Sequence, residues 1–121
     1  MKKAKVCAVL ALSILILVTI LNPLRRSEEH IRRNMLEDTP IGTSIEDVLD
    51  AIEKKEKWKI EYVSYEYGYF IRGPVIGEKS IRVLIGEYGF LFLKTSVSVY
   101  WGFDEDSKLI EIAVWKSTDV I

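Results

Sequence analysis

Residues 96–114 read SVSVYWGFDEDSKLIEIAV. Apolar side chains fall at Val97, Val99, Trp101 and Phe103, alternating with Ser96, Ser98, Tyr100 and Gly102. Asp104 to Ser107 then breaks the run before Ile110, Ile112 and Val114 resume it. A period of two sends successive side chains to opposite faces, so the stretch is a strand, a polar turn and a returning strand, each with one face inward. Further back, Ile81, Val83 and Ile85 alternate with Arg82 and Leu84 in a strand that stops at Gly86-Glu87-Tyr88-Gly89. Phe90 to Leu93 follow as a strand edge or a packed loop, and Gly73-Pro74 with Gly77-Glu78 mark the loop that precedes. The first strand begins at Trp58: Trp58, Ile60 and Tyr62 share one face, and Val63, Tyr65, Tyr67 and Tyr69 follow on the opposite phase. The change of phase predicts a β-bulge near Tyr62-Val63. These runs make an antiparallel meander of three to four strands.

Two helical patterns precede the meander. Ser27 caps a short helix through Leu36, with Glu28 and Arg32, and Glu29 and Arg33, at the i,i+4 spacing and Ile31 with Met35 as its apolar pair. Pro40 and Gly42 interrupt, and Thr43-Ser44-Ile45-Glu46 reads as a capping box in which Thr43 accepts from the Glu46 backbone. Ile45, Val48, Leu49 and Ile52 then form an amphipathic stripe that ends in the solvated run Glu53 to Lys57. The expected class is α+β: an N-terminal transmembrane helix, then one or two helices packed on the sheet. The expected boundaries are 1–26 for the membrane segment, 27–40 for a helical stalk and 41–121 for the folded domain.

The membrane segment is inferred from VCAVLALSILILVTIL, Val6 to Leu21, which carries no charge. Extended to residue 24 it reaches roughly 28 Å as a helix, close to the hydrocarbon thickness of a bilayer. No small-residue cleavage pattern follows; the run passes through Asn22-Pro23-Leu24 into Arg25-Arg26. Cys7 lies near its beginning, not at its end where a lipoprotein signal requires it. The reading is an uncleaved signal anchor holding the chain at the membrane through residues 6–24. A cleaved signal, or a buried hairpin helix of a soluble protein, is the alternative. Lys2, Lys3 and Lys5 compete with Arg25, Arg26, Arg32 and Arg33 for the cytoplasmic side.

Composition removes several functions. Beyond the first lysines the chain has 14 basic and 18 acidic residues, a net of −4, which is a poor match for nucleic acid. A single cysteine and a single histidine, His30, exclude an internal disulfide, a cysteine-built zinc site and a catalytic triad within one chain. Adjacent carboxylates such as Glu46 and Asp47 diverge on a helix and cannot share acid and base roles. The expectation is no enzyme, no cofactor, no metal site and no small-molecule substrate. Asp104, Glu105 and Asp106 read as a hairpin turn, lacking the ligand number and glycine of a calcium loop.

The helix opener IGTSIEDVLDAI, Ile41 to Ile52, and the hairpin VYWGFDEDSKLIEI, Val99 to Ile112, resemble the SmpA/OmlA-like domain family. That family includes the small lipoprotein of the outer-membrane barrel-assembly machinery and is related in structure to the repeats of β-lactamase inhibitory protein. Its helix start G-x-[ST]-x-x-x-V matches Gly42 to Val48. Its turn F-D-x-x-G-x-L matches Phe103 to Leu109, except that Ser107 stands where the family carries glycine. The likeness covers about residues 41–116 and departs at the N-terminus, where the family is lipid-attached.

What the resemblance implies is an extracytoplasmic binding or assembly domain of the cell envelope, which the N-terminal run would anchor by a single pass; an inhibitor or immunity-type protein that blocks an enzyme is the alternative. Contact with a protein partner is assigned to Tyr65, Tyr67 and Tyr69 on one face of the first strand, with Tyr100 on the open sheet face, because tyrosine offers rigid amphipathic contact area. The competing reading makes these tyrosines part of the sheet face covered by the helices.

Overall fold

The computed structural model describes the backbone from residue 2 and side chains at residues 5–14 and 22–121. The alternating runs form one antiparallel sheet of four strands: β1 (Lys59–Ser64), β2 (Lys79–Phe90), β3 (Leu93–Phe103) and β4 (Leu109–Val120). Their spatial order is their chain order. The helices are α1 (Lys2–Leu21), α2 (Glu28–Asp38) and α3 (Ile45–Glu53), with a short 3-10 turn at Pro23–Arg25. The α+β class and the meander are as expected from the sequence.

The core lies between one sheet face and two helices. Val97, Val99, Trp101 and Phe103 of β3 are buried, flanked by Ile81, Val83 and Ile85 of β2 and by Leu109, Ile112 and Val114 of β4. Ile45, Val48 and Ile52 of α3 pack onto them; Leu49 is only half-buried. Trp101 donates its indole N–H to Thr39 Oγ1 at 3.1 Å, and Thr39 in turn donates to the Met35 carbonyl at 2.8 Å. A buried indole N–H needs such a partner, which ties the end of α2 to the middle of the sheet.

Four local expectations are corrected. The cap of α3 is Ser44, whose hydroxyl accepts from Asp47 N at 3.2 Å, while Thr43 Oγ1 donates to Pro40 O. The shift has a cause: Leu109 N donates to Thr43 O and Ile45 N to Ser107 O, so pairing with the β3–β4 turn holds Ser44 extended, as a cap must be. Ile110 is exposed and Leu109 is buried in its place, because a register shift at Gly102/Phe103 moves the phase of β4. The β1 irregularity falls between Ile60 and Tyr62, ahead of the expected position. Finally, β2 does not stop at Gly86. The register shifts there and the ladder continues to the pair Phe90↔Leu93. A Cβ on Gly86 would meet Leu24 Cδ1 at 2.7 Å, so this glycine is where the 3-10 turn seats on the sheet.

Residues 27–40 are no stalk. Ser27 Oγ accepts from His30 N as expected, but Ile31 and Met35 are core residues, and Arg32 reaches past the expected partner Glu28 to Glu111 and Glu29.

The transmembrane signal anchor is overturned as well. Among the described residues no helix is long and apolar enough to cross a membrane. Of the apolar run, the side chains of residues 15–21 lie outside the described ones.

Candidate functional site

The tyrosines expected to share a strand face do not. β1 ends at Ser64, whose hydroxyl accepts from the backbone N of Tyr67 at 3.2 Å and of Glu66 at 3.4 Å, and this local bonding turns the chain out of the sheet. Tyr65 and Tyr67 project into solvent at 56% and 62% exposure. Tyr69 is buried at 4%, because the chain folds back as a short pair with Ile76: Tyr69 N to Ile76 O at 3.0 Å and Ile76 N to Tyr69 O at 2.9 Å.

This folded-back segment closes much of the sheet face that was expected to be open. Tyr100, expected as an exposed anchor, is 7% exposed. Its ring lies 5.5 Å from that of Tyr69, and the Arg82 guanidinium sits 5.3 Å from its centroid. Burial raises the phenol pKa of both tyrosines. Two glycines make the approach feasible. A Cβ on Gly102 would stand 2.9 Å from the Tyr69 ring, and one on Gly68 would collide with the Ile76 backbone. Of the four tyrosines, then, two are packed together under a loop and two are exposed beside it.

A concavity lies elsewhere, along the outer side of β4. It is a groove of about 610 Å3 between α2 on one side and residues 69–76 on the other. Arg32 Nε donates to the Ile112 carbonyl at 2.8 Å, which shows that the Ile112 backbone faces the free edge. With a strand period of two, Val114 and Lys116 face the same way. Arg32 also donates from Nε to Glu111 Oε1 at 3.2 Å and from Nη2 to the same oxygen. The hydrogen bond with Glu111 holds the Arg32 pKa above its ordinary value. Across the groove the Arg72 guanidinium lies 4.9 Å from the centroid of Trp115, itself half-buried. The floor is strand backbone, and the walls offer an indole face, a planar cation and the apolar Ile71, Pro74 and Ile76.

A smaller cleft of about 310 Å3 lies where α2 and α3 meet Trp58 and Trp101. It is a seam between the helices and the sheet, with Asp38, Lys54 and Lys55 on its rim. Among the described residues no three His, Cys, Asp or Glu side chains come together as a metal site. Asp104 is engaged in its turn, with Oδ1 accepting from the backbone of Asp106 and Lys108.

Arg72 and Trp115 were not singled out from the sequence as a pair. Their juxtaposition depends on the return of residues 69–76 across the sheet, and the close-packed glycines at 68 and 102 are the signal that points to such a crossing. Comparisons with known protein families, with curated proteins and with solved structures find no match.

Proposed function

We propose that this chain is a non-catalytic protein-interaction domain that binds an extended segment of a partner protein along β4. One observation carries the reading: a 12-residue strand is left at the sheet edge with a groove built along its outer side. An unpaired edge is normally blunted or covered, since its N–H and C=O groups template further pairing. Here Arg32 closes the edge at Ile112, and beyond it the backbone forms the floor of a groove. Strand addition would supply main-chain hydrogen bonds, and alternate side chains of the guest would meet Trp115 and Arg72. A guest with aromatic, proline or acidic residues suits an indole stacked beneath a guanidinium. The resemblance to binding folds of the cell envelope supports the same reading and favours a partner in that compartment.

The test is affinity capture with the full chain from the envelope fraction of its native cells, followed by mass-spectrometric identification. Trp115→Ala and Arg72→Ala should each lose the captured partner while retaining the circular dichroism spectrum and an unfolding free energy within about 1 kcal/mol of the parent. Equal capture by both variants would refute the groove. A captured enzyme that loses activity in the complex would mark the protein as an inhibitor.

A further inference from the structure

At the far end of the sheet, β2 and β3 are joined by a two-residue turn, with Phe90 paired to Leu93 across it. The four residues read Phe90-Leu91-Phe92-Leu93, where hairpin turns ordinarily carry glycine, asparagine or aspartate. None is packed away: Phe90, Leu91 and Phe92 are 64%, 78% and 76% exposed. Leu91 moreover holds φ at +55°, a left-handed conformation that costs a branched side chain about 1–2 kcal/mol. Positive φ at the first central residue alone is the pattern of a type II′ turn, in which glycine is the usual occupant. The chain thus accepts strain to carry a large apolar group at the most protruding point of the hairpin.

Val120 and Ile121 enlarge the patch. Val120 pairs with Leu93, and Ile121 N donates to Phe92 O at 2.7 Å, which leaves both apolar side chains exposed beside the tip.

Behind the tip lies a cationic collar. Arg25 Nη2 donates to the Gly89 carbonyl at 2.9 Å, and its guanidinium lies 4.6 Å from the centroid of Tyr88. The Lys116 ammonium lies over the same ring at 5.4 Å and donates to Arg26 O. Lys94 completes the group, bridged to Glu87 at 2.9 Å and facing Asp119 across the ladder. Arg25, Lys116 and Lys94 against Glu87 and Asp119 leave the collar at +1, although the domain as a whole is acidic. Tyr88 sits two residues, about 7 Å, behind Phe90. This is the layering of a bilayer interface: apolar groups at the acyl boundary, an amphipathic aromatic just above, and cations among the headgroups.

We infer that this end of the molecule docks on an anionic lipid surface, with the Phe90–Leu93 tip wedged into the headgroup boundary and the Arg25, Lys94 and Lys116 collar on the phosphates. This is attachment at a surface, without a span. The convex shape of the tip fits a deformable lipid layer, whereas a protein guest would need a concave seat. The 3-10 turn that carries Arg25 is also the connection to α1, whose Val6, Val9, Leu10, Leu12 and Ile14 are exposed, so a second apolar element leads into the same end. The inference is independent of the β4 groove.

Flotation of the full chain with vesicles tests it, using phosphatidylcholine alone and phosphatidylcholine with one-third phosphatidylglycerol. The protein should float with the anionic vesicles and be weakened by added salt, because screening shortens the reach of the collar. The double substitution Phe90→Ser/Phe92→Ser should lower partitioning by at least about tenfold, since two exposed phenylalanine side chains leave the acyl boundary. Its urea midpoint should not move, because neither ring packs in the fold. In the Phe92→Trp variant, lipids brominated near the carbonyl should quench the added fluorescence. Three results would each overturn the inference: no binding to anionic vesicles; full binding by the double variant with no quenching in the Phe92→Trp variant, which would assign the attachment to α1; or a lipid-free dimer that the double variant dissolves, which would assign the patch to a second copy.

Discussion

Replacing Tyr100 by alanine distinguishes an open sheet face from a covered one. An exposed anchor tolerates truncation at a cost below about 1 kcal/mol. Tyr100 is instead buried against Tyr69, with the Arg82 guanidinium over its ring. Truncating a buried aromatic ring to alanine costs about 3–5 kcal/mol, and the lower part of that range applies where a neighbouring loop can partly collapse into the space. Residues 65–78 are such a loop, so we expect a loss of about 3 kcal/mol. With a urea slope of about 1.5 kcal/mol per molar, the midpoint should fall by about 2 M. Equilibrium urea unfolding followed by the fluorescence of buried Trp101 measures this directly. The Tyr100→Phe variant keeps the ring stack and should lose less than about 1 kcal/mol, which separates packing from the hydroxyl. A loss under about 1 kcal/mol for Tyr100→Ala would refute the reasoning, because the segment around Tyr69 would then not be covering the sheet.

Three further outcomes follow from the same geometry. Ile52→Ala should cost about 2–4 kcal/mol and Leu49→Ala about 1, since only the first side chain is enclosed; equal losses in chemical denaturation would show that α3 is rotated. Ser107 holds φ at +62°, so Ser107→Gly should raise stability by about 0.5 kcal/mol, the relieved strain outweighing the bond that Lys79 Nζ makes to Ser107 Oγ at 2.6 Å; Ser107→Ala keeps the strain, loses the bond and should lower the thermal midpoint. Burial raises the Tyr69 pKa from its ordinary 10.0, so above pH 10 the unfolded chain releases a proton that the folded chain retains. Stability from this group is therefore complete below pH 10 and declines as pH rises beyond it. A Tyr69→Phe variant should show a flatter stability curve between pH 9 and 11, and an unchanged slope would mean that the phenol is solvated.

The sequence was most legible where a side-chain period and a burial requirement agreed. Val97 to Phe103 alternate without a break and occupy the core as the alternation demands. The helix stripe was equally plain at Ile45, Val48 and Ile52. Legibility failed wherever a polar side chain or a bulge redirected the backbone. Ser64 captures two amides and ends β1 early, so the regular spacing of Tyr65, Tyr67 and Tyr69 no longer meant a common face. The register shift near Gly102 exchanged Ile110 for Leu109. Long-range pairs were invisible for a different reason: nothing in a local window links Arg32 to Glu111 or Arg72 to Trp115, yet these contacts make α2 a wall of the domain and build the groove. The apolar run at the N-terminus carried a strong hydropathy signal, yet among the described residues no helix is long and apolar enough to cross a membrane.

The order of the strands also has a consequence for biosynthesis. Each strand pairs with its neighbour in the chain, so hairpins can close one after another as the polypeptide emerges. α2 is the exception, because its docking partner is β4: Arg32 and Glu111 lie 79 residues apart. At ordinary rates of about 5–20 residues per second, α2 waits roughly 4 to 16 s on the ribosome before that partner exists. During that interval the Ile31 and Met35 stripe has no β4 to pack against, and the last strand completes both the core and the edge groove. A chain cut short before β4 would therefore present an uncovered helix to chaperones and proteases.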